Sequence, residues 1–411
     1  MEDIRMSLRE TRRYELLGML IEGRSRERLV AQQLSLSTRQ VRRLKKRVSQ
    51  EGPKGVIHRS RGRPSCRRTA KKVCEQVVEL YRQKYEGFNL THYVEYLRGR
   101  EKIQIGQESV RKLLLAEGLW QPRRRHPKHR LKRPRREHEG QLLQLDASIH
   151  AWLGFAGDER LYALVGAIDD ATGRAWARFE LAETTEGYFR LMEEVFRQGV
   201  PLELYSDRDS VFTITNAKER IGLHERGVPL ETQFSRAMRE LDVKIILAHS
   251  PQAKGRIERL WKTCQDRLYH ELRLEGIKTL SEANRYLHRV FLPQHNRQFT
   301  RPASRLESAF RPTPLNWRRI LCVKESRKLA NDHTFPLDSK LFQVLPHPAL
   351  HALRGKRVEI CQSLRGGMEV YYKTHRLRVR PAPQCRPRIF PLPPRGERKG
   401  TKKRTFLLGQ T

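Results

Sequence analysis

The chain has 411 residues, of which 84 are lysine or arginine and 46 are aspartate or glutamate, giving a formal net charge of +38. A chain of this length can form two to four domains, each with a core of its own. The large positive excess predicts a polyanionic partner, and DNA or RNA fits that charge better than an anionic membrane surface.

The positive charge is unevenly distributed. Residues 1–140 carry a net charge of +21, residues 141–300 of −1 and residues 301–411 of +18. A ribosomal or histone-like protein is not expected to have a near-neutral middle segment. An enzyme that binds divalent cations through acidic ligands is. The six cysteines include no CxxC pair, so neither a zinc site nor a disulfide framework is indicated. No apolar stretch is long enough to span a membrane, and we therefore expect a cytoplasmic protein without a membrane partner.

Residues 1–52 have the pattern of a helix-turn-helix. Apolar spacing predicts helices over Arg9–Ile21, Arg26–Leu34 and about Thr38–Ser49, and Ser37 followed by Gln40 has capping-box spacing. In this motif the last helix enters the major groove. An ordinary three-helix bundle with a solvated basic face is the alternative. The candidate DNA contacts are Arg39, Gln40, Arg42, Arg43 and Lys46.

The next 87 residues alternate linker and helix. A Gly/Pro/Arg-rich linker is expected over residues 53–68 and a second helical module over residues 69–120. Its helices are predicted near 70–85, 91–97 and 107–117, and the last resembles a second recognition helix. Residues 121–139 form a basic linker suited to following a phosphate backbone.

Residues 140–300 predict an α/β domain. Apolar runs and alternations indicate strands at 142–145, 161–168, 175–181, 202–205 and 243–248. Helices are expected around 188–196, over 231–241 and over 254–272. Three strands, helix, strand, helix, strand, helix is the order of a ribonuclease-H-like core. Residues 301–380 are expected to form a connector and a small β-barrel, and residues 381–411 a disordered, basic, Pro-rich tail.

Three acidic residues of the middle segment are the candidates for catalysis and metal binding. Asp146 lies on the first strand, where an unpaired carboxylate is costly unless it binds a metal. Asp207 ends the fourth strand, which neighbours the first in this layout, and Glu258 lies one turn into the long helix at the margin of its buried face. A lone Asp at a strand end is usually a turn or cap residue, and Asp209 is a close rival of Asp207.

The three carboxylates are of the kind that hold metal ions for phosphodiester cleavage and joining. Two divalent ions, held by a few carboxylates, activate the attacking oxygen and neutralise the leaving one. Mg²⁺ prefers oxygen ligands, so two or three carboxylates suffice. The cations around Glu258 are well placed for phosphates and are also candidate DNA contacts: Lys254, Arg256 and Arg259.

Three segments carry a family resemblance: QLDAS at 144–148, YSDRDSVF at 205–212 and HSPQAKGRIER at 249–259. They resemble the three motifs of the integrase catalytic core in bacterial insertion-sequence transposases of the DDE type, most closely the ISNCY type. The likeness covers about residues 8–300. It differs from many relatives in having Asp207-Arg208-Asp209 where they have Asp-Asn-Gly, which leaves Asp209 as a rival.

The resemblance implies a metal-dependent DNA transposase. Carried over, Asp146, Asp207 and Glu258 would bind two Mg²⁺ or Mn²⁺ ions. The enzyme would bind the ends of an insertion sequence, cleave a DNA strand and join the freed 3′-OH to target DNA. Its partners would be double-stranded DNA, as element ends and target, and further copies of itself on that DNA, in the bacterial cytoplasm at the nucleoid. A regulator derived from a transposase but lacking catalysis, and a ribonuclease-H-type nuclease, are the alternatives.

Overall fold

The computed structural model describes residues 4–62, 68–122, 133–216, 221, 225, 230–248, 254–346 and 353–382. Most of the expected basic linker, nearly all of the expected tail and the first five residues of the third motif lie outside these described residues.

The N-terminal region contains the three predicted helices: α1 (Leu8–Ile21), α2 (Glu27–Leu34) and α3 (Thr38–Glu51). The capping box that opens α3 is present, because the Ser37 hydroxyl accepts the Gln40 backbone N–H at 3.3 Å and the Gln40 side chain accepts the Ser37 N–H at 3.1 Å. The helices bury a small apolar core that includes Leu17, Val30, Val41 and Val48.

The first part of the segment expected as a linker is folded. Gly52–Val56 is a 3-10 helix that packs on α3, with Val56 buried. A Cβ at Gly55 would lie 2.7 Å from the backbone carbon of Arg47, so only glycine allows this approach. The N-terminal unit therefore extends a few residues beyond α3.

The second helical module also has its three predicted helices: α4 (Lys71–Gln83), α5 (Leu90–Gly99) and α6 (Gln107–Ala116). Its core is aromatic, with Tyr85 and Phe88 at 5.3 Å between ring centroids and Tyr81 and Tyr93 at 5.1 Å. Such edge-to-face pairs add to what burial of the rings contributes. The module is thus a separate small core.

A mixed five-stranded sheet forms the middle of the chain. Its strands are β1 (Leu142–His150), β2 (Tyr162–Asp169), β3 (Ala175–Glu180), β4 (Glu203–Ser206) and β5 (Lys244–Leu247). The order is β3-β2-β1-β4-β5, in which β1 to β3 are antiparallel, β4 is parallel to β1, and β5 is parallel to β4. The predicted α/β core is confirmed, and β4 lies next to β1, as the predicted layout expected.

Helices cover both faces of this sheet. On one face, α7 (Thr185–Val195) and α8 (Gln233–Glu240) pack against Leu143 and Leu145 of β1. On the other face, α9 (Gly255–Thr263) continues through a π-helical turn, Cys264–Leu268, into α10 (Tyr269–Leu274). Side chains alternate along a strand, so β1 presents its polar residues to α9.

Two helical segments after α10 were not predicted. These are α11 (Leu280–Tyr286) and α12 (Leu292–Phe299), joined by a π-helical turn, Leu287–Phe291. The side-chain amides of Asn284 and Asn296 each donate to and accept from the backbone of β3, at 2.8–2.9 Å. These bonds satisfy polar groups that an edge strand would otherwise leave unpaired.

The second helical module packs on this helical layer. His92 Nε2 lies 2.8 Å from Glu271 Oε1, and the Tyr286 hydroxyl donates to Glu271 Oε2 at 2.8 Å. His92 and Glu271 are both buried, so this polar contact is shielded from water. Among the described residues, no helix is long and apolar enough to cross a membrane.

The C-terminal region differs from its prediction. After α13 (Trp317–Ile320) come the strands β6 (Val323–Lys328), β7 (Thr334–Leu337), β8 (Lys340–Val344), β9 (Arg357–Gln362), β10 (Met368–Tyr372), β11 (His375–Leu377) and β12 (Val379–Pro381). They form a four-stranded sheet in the order β11-β10-β9-β6 and a three-stranded sheet in the order β12-β8-β7. Within the described residues they do not close into the predicted barrel, although both sheets share one apolar core.

Candidate active site

Alternate residues of β1 contact the helix that carries the third motif. The backbone N–H of Ile257 donates to the Gln144 side chain at 3.3 Å, and the Trp261 indole N–H donates to Asp146 Oδ2 at 2.9 Å. One step further, the Gln265 amide donates to the Ser148 hydroxyl at 3.1 Å. Two residues of strand and four of helix advance by similar distances, about 7 and 6 Å, so the two elements stay in register.

Asp207 is held level with Asp146 on the neighbouring strand. Gln144 of β1 pairs with Tyr205 of β4 in a parallel register. Asp146 lies two residues further along β1, and Asp207 directly follows the last residue of β4, so this register brings the two carboxylates to about the same height. Asp146 is partly buried, with 21% of its side chain exposed, and Asp207 is 48% exposed.

A lysine ammonium lies between the two aspartates. Lys254 Nζ is 3.0 Å from Asp146 Oδ1 and 2.6 Å from Asp207 Oδ2, and the lysine is buried. Burial alone would lower the pKa of Lys254, but its bonds to Asp207 and Asp146 outweigh burial and raise that pKa above its ordinary value. The site therefore holds a cation between two carboxylates.

Glu258 lies near this pair but does not touch it. It is half-buried on the first turn of α9, four residues after Lys254 and three before Trp261, so it shares a helix face with the two residues that contact the aspartates. Across the residues that the structure describes, no three acidic, histidine or cysteine side chains converge closely enough to hold a metal. The structure thus brings together two of the three predicted ligands.

Asp209, the rival of Asp207, is engaged in a turn. Its carboxylate accepts the backbone N–H of Val211 at 2.9 Å, and its carbonyl accepts the N–H groups of Phe212 and Thr213 at 3.0 Å. Asp207, by contrast, reaches Lys254. These contacts favour Asp207 as the member of the site.

A fourth carboxylate was missed by reading the sequence. Glu183 is half-buried just before α7 and accepts the Tyr188 hydroxyl at 2.7 Å. Burial raises the pKa of Glu183, and the negative charges of Asp209, Asp207 and Asp146 raise it further, so Glu183 lies within electrostatic reach of the site. The only signal in the sequence is its position directly before Thr184, the capping residue of α7.

The residues present suit a hard divalent cation. Asp146 and Asp207 offer oxygen donors, which are the ligands that Mg²⁺ and Mn²⁺ prefer. The ammonium of Lys254 is a stand-in for a positive ion at this place, since it satisfies both carboxylates at once.

The predicted DNA contacts have different surroundings. On α3, Arg39, Arg43 and Lys46 are exposed, Arg42 pairs with Glu27 at 2.7 Å, and Gln40 belongs to the capping box. On α9, Arg259 is exposed, whereas Arg256 pairs with the buried Asp170 at 2.7 Å and Lys254 is held by the aspartates. Binding of DNA by these residues stays a prediction.

Sequence comparison places the chain among known proteins. It is 36% identical over 382 residues to "Putative transposase y4bF" of Sinorhizobium fredii, covering 92% of this chain and 82% of that relative. It is 27% identical over 372 residues to "Transposase for insertion sequence IS1202" of Streptococcus pneumoniae, covering 82% of this chain and 78% of that relative. The chain belongs to the transposases of insertion sequences. No protein-family model matches it.

Solved structures resemble this transposase only loosely. The HTLV-2 integrase catalytic core domain in complex with magnesium has a TM-score of 0.27 and 14% identity, over 36% of this chain and 85% of its own. A simian T-cell lymphotropic virus intasome has a TM-score of 0.30 and 14% identity, over 74% of this chain and 96% of its own. Likenesses this loose give no information on the function of the transposase.

Proposed function

We propose that this transposase cleaves and joins DNA strands at a metal centre formed by Asp146, Asp207 and Glu258. The observation that carries the proposal is the pair of aspartates, level on adjacent parallel strands and already sharing a cation. Two acidic side chains at this spacing are costly to fold unless positive charge lies between them.

The same three residues would hold two Mg²⁺ or Mn²⁺ ions, which supply an activated attacking oxygen and neutralise charge on the leaving oxygen. Trp261 orients the Asp146 carboxylate through its indole N–H. Gly166, which pairs with Asp146 across β1 and β2, leaves room for that indole, because a Cβ there would collide with it. These supports fix the direction in which Asp146 presents its free lone pairs.

The proposed substrates are the ends of the insertion sequence and target DNA, both double-stranded. The exposed basic residues of α3 would contact one DNA groove, and the second helical module would add contacts to the same end. Since transposition joins two ends to one target, we propose that the enzyme acts as a homo-oligomer on DNA.

A cleavage and joining assay tests the catalytic residues. Labelled element ends would be incubated with the purified protein and Mg²⁺, using Asp146→Asn, Asp207→Asn and Glu258→Gln, with Asp209→Asn as the matched control. Losing one ligand should remove several kcal/mol of charge stabilisation, so each of the three should lower the rate about 100-fold or more while DNA binding persists. The control should stay within a few-fold of wild type. A variant of the three that cleaves and joins DNA at the wild-type rate would show that its residue is not a ligand of the metal centre.

The two curated relatives are both named transposases, so a regulator without catalysis is not favoured. That reading would require wild-type protein that binds element ends and neither cleaves nor joins them.

A further inference from the structure

Five arginines lie beside the active site, near the buried carboxylate of Asp170. We call this set the arginine cluster: Arg133, Arg135, Arg256, Arg259 and Arg301. At its centre, Asp170 has no exposed surface and pairs with both Arg133 and Arg256. Arg135 Nη1 donates instead to the backbone carbonyls of Asp170 and Ala171, at 3.3 and 2.7 Å.

The cluster carries more positive charge than its surroundings neutralise. Burial lowers the pKa of Arg135, and the positive charges of Arg301 and Arg259 lower it further, although the buried carboxylates of Asp170 and Asp169 oppose this. The pKa of Arg256 is likewise lowered by burial, although Asp170 opposes this, and by Arg133, Arg135 and Arg259. Guanidinium groups remain protonated at neutral pH all the same. Like charges this close repel one another, so an additional anion would be stabilised here.

Not all five arginines are committed to structure. Arg133 and Arg256 hold Asp170, and Arg256 also donates to the Arg133 carbonyl at 3.2 Å, so these two fasten the incoming chain to the core. Arg259 and Arg301 are exposed, and neither pairs with a carboxylate within the described part of the chain. The backbone N–H of Arg301 donates to the Thr172 carbonyl at 3.0 Å, next to the Ala171 carbonyl that Arg135 contacts. The surplus charge therefore faces solvent through Arg259 and Arg301, whereas Arg135 is half-buried.

The arginine cluster is joined to the metal site through two side chains. Gln144 donates to Asp170 at 2.9 Å and accepts the N–H of Ile257, which directly precedes Glu258. Gln144 is also two residues before Asp146, a rise of about 7 Å along β1. Arg133 lies 5.9 Å from the ring centre of Tyr205, two residues before Asp207.

We propose that the arginine cluster binds phosphates of the DNA strand that carries the reacting bond, through Arg135, Arg259 and Arg301. The proposal deepens the function proposed above and rests on it, since it assigns the strand that the metal site acts on. A planar guanidinium suits a phosphate because it can donate two parallel hydrogen bonds. Bound beside the metal site, the strand would be held close to Asp146 and Glu258.

A groove gives the strand a path away from the cluster. An open cavity of about 1480 Å³ separates the second helical module from α9 and α10, and Arg259 lines it together with Lys262 and Trp120. Arg259 thus belongs both to the cluster and to the groove. Cationic walls with an aromatic side chain are the features with which proteins follow a nucleic-acid backbone and its bases.

The test measures DNA binding without chemistry. Full-length protein in EDTA would be titrated into a fluorescent 30-bp duplex of random sequence, over a range of KCl concentrations, using the double variant R259Q/R301Q. Its matched control is R197Q/R285Q, which removes two exposed charges from other surfaces of the core. The plot of log affinity against log salt has a negative slope, and each lost phosphate contact makes it shallower by about 0.9. The slope of the double variant should therefore be shallower than that of wild type by about 1.8. Its affinity should fall at least about tenfold at low salt, by the same factor on a second random duplex.

Two results would overturn the proposal. One is a double variant that matches R197Q/R285Q in slope and affinity. The other is a loss that differs strongly between the two duplexes, because phosphate contacts do not depend on sequence. Since EDTA removes catalysis from the measurement, either result would leave the metal-site proposal standing, and a failed cleavage assay would leave the binding result standing.

Discussion

Replacing Lys254 by methionine should make the transposase bind divalent metal more tightly. In the metal-free protein, the ammonium of Lys254 neutralises Asp146 and Asp207 at 3.0 and 2.6 Å. A metal that takes this place must first displace the ammonium. Methionine has similar length and no charge, so the two carboxylates would repel each other until a metal arrives.

The distances give the size of the effect. The two carboxylate oxygens share one ammonium at 3.0 and 2.6 Å, so they are at most about 5.6 Å apart. Their repulsion is about 3 kcal/mol at an effective dielectric of about 20, and about 0.7 kcal/mol in bulk water. Because Asp207 is half-exposed, the value should lie between these limits. The corresponding gain in metal affinity is roughly 3-fold to 150-fold.

Calorimetric titration with Mn²⁺ and with Mg²⁺ would measure this gain, using Lys262→Met as the control. Lys262 is an exposed lysine on the same helix, so its loss changes the net charge equally without touching the aspartates. The metal-free Lys254→Met protein should also unfold more easily than wild type, and saturating metal should narrow the gap. A Lys254→Met protein that folds but binds metal no more tightly than the Lys262→Met control would contradict the competition between the ammonium and the metal.

Two further predictions concern packing and pH. Gly166→Ala should displace the Trp261 indole, because the added Cβ would collide with it. We expect the free energy of unfolding, measured in urea, to fall by about 1–3 kcal/mol, and strand cleavage to slow. An unchanged stability and cleavage rate would contradict the role of Trp261 in orienting Asp146. Burial, assisted by Arg267, lowers the pKa of His295 to about 4 from 6.5. Below pH 6.5 the unfolded chain binds a proton at His295 that the folded chain does not bind, so the free energy of unfolding decreases as the pH is lowered. Between pH 7.5 and 5, wild type should lose about 2 kcal/mol more than His295→Phe in urea unfolding, and equal losses would contradict this.

The sequence predicted the layers of the fold because hydrophobic periodicity reports local structure directly. The alternating and continuous apolar runs of the core indicated its five strands, and strand order was enough to place Asp207 beside Asp146. The polar strand β6, whose residues are mostly only half-buried, shows no such pattern in the sequence. The sequence predicted a closed barrel, whereas the described strands form two sheets. The pattern of a short strand in the sequence does not show which edges pair.

The contacts that define the site are non-local and could not be predicted. Lys254 was expected to meet DNA phosphates, and only the packing of α9 on β1 shows that it lies between the aspartates, 108 residues from one and 47 from the other. Glu183 is separated from the motifs by a whole helix and carries no pattern of its own. Asp170 directly follows β2 at a turn, where its sequence position gives no sign of a role, yet it is the buried centre of the arginine cluster.

Iron-mediated cleavage of the polypeptide tests most directly whether Asp146, Asp207 and Glu258 share one metal centre. Fe²⁺ in a Mg²⁺ site generates radicals that cut nearby backbone when ascorbate and peroxide are supplied. We expect cuts close to residues 146, 207 and 258 together, suppressed by excess Mg²⁺ and absent in Asp146→Asn. Cuts near 146 and 207 without one near 258, or cuts that Mg²⁺ does not suppress, would contradict the three-carboxylate centre.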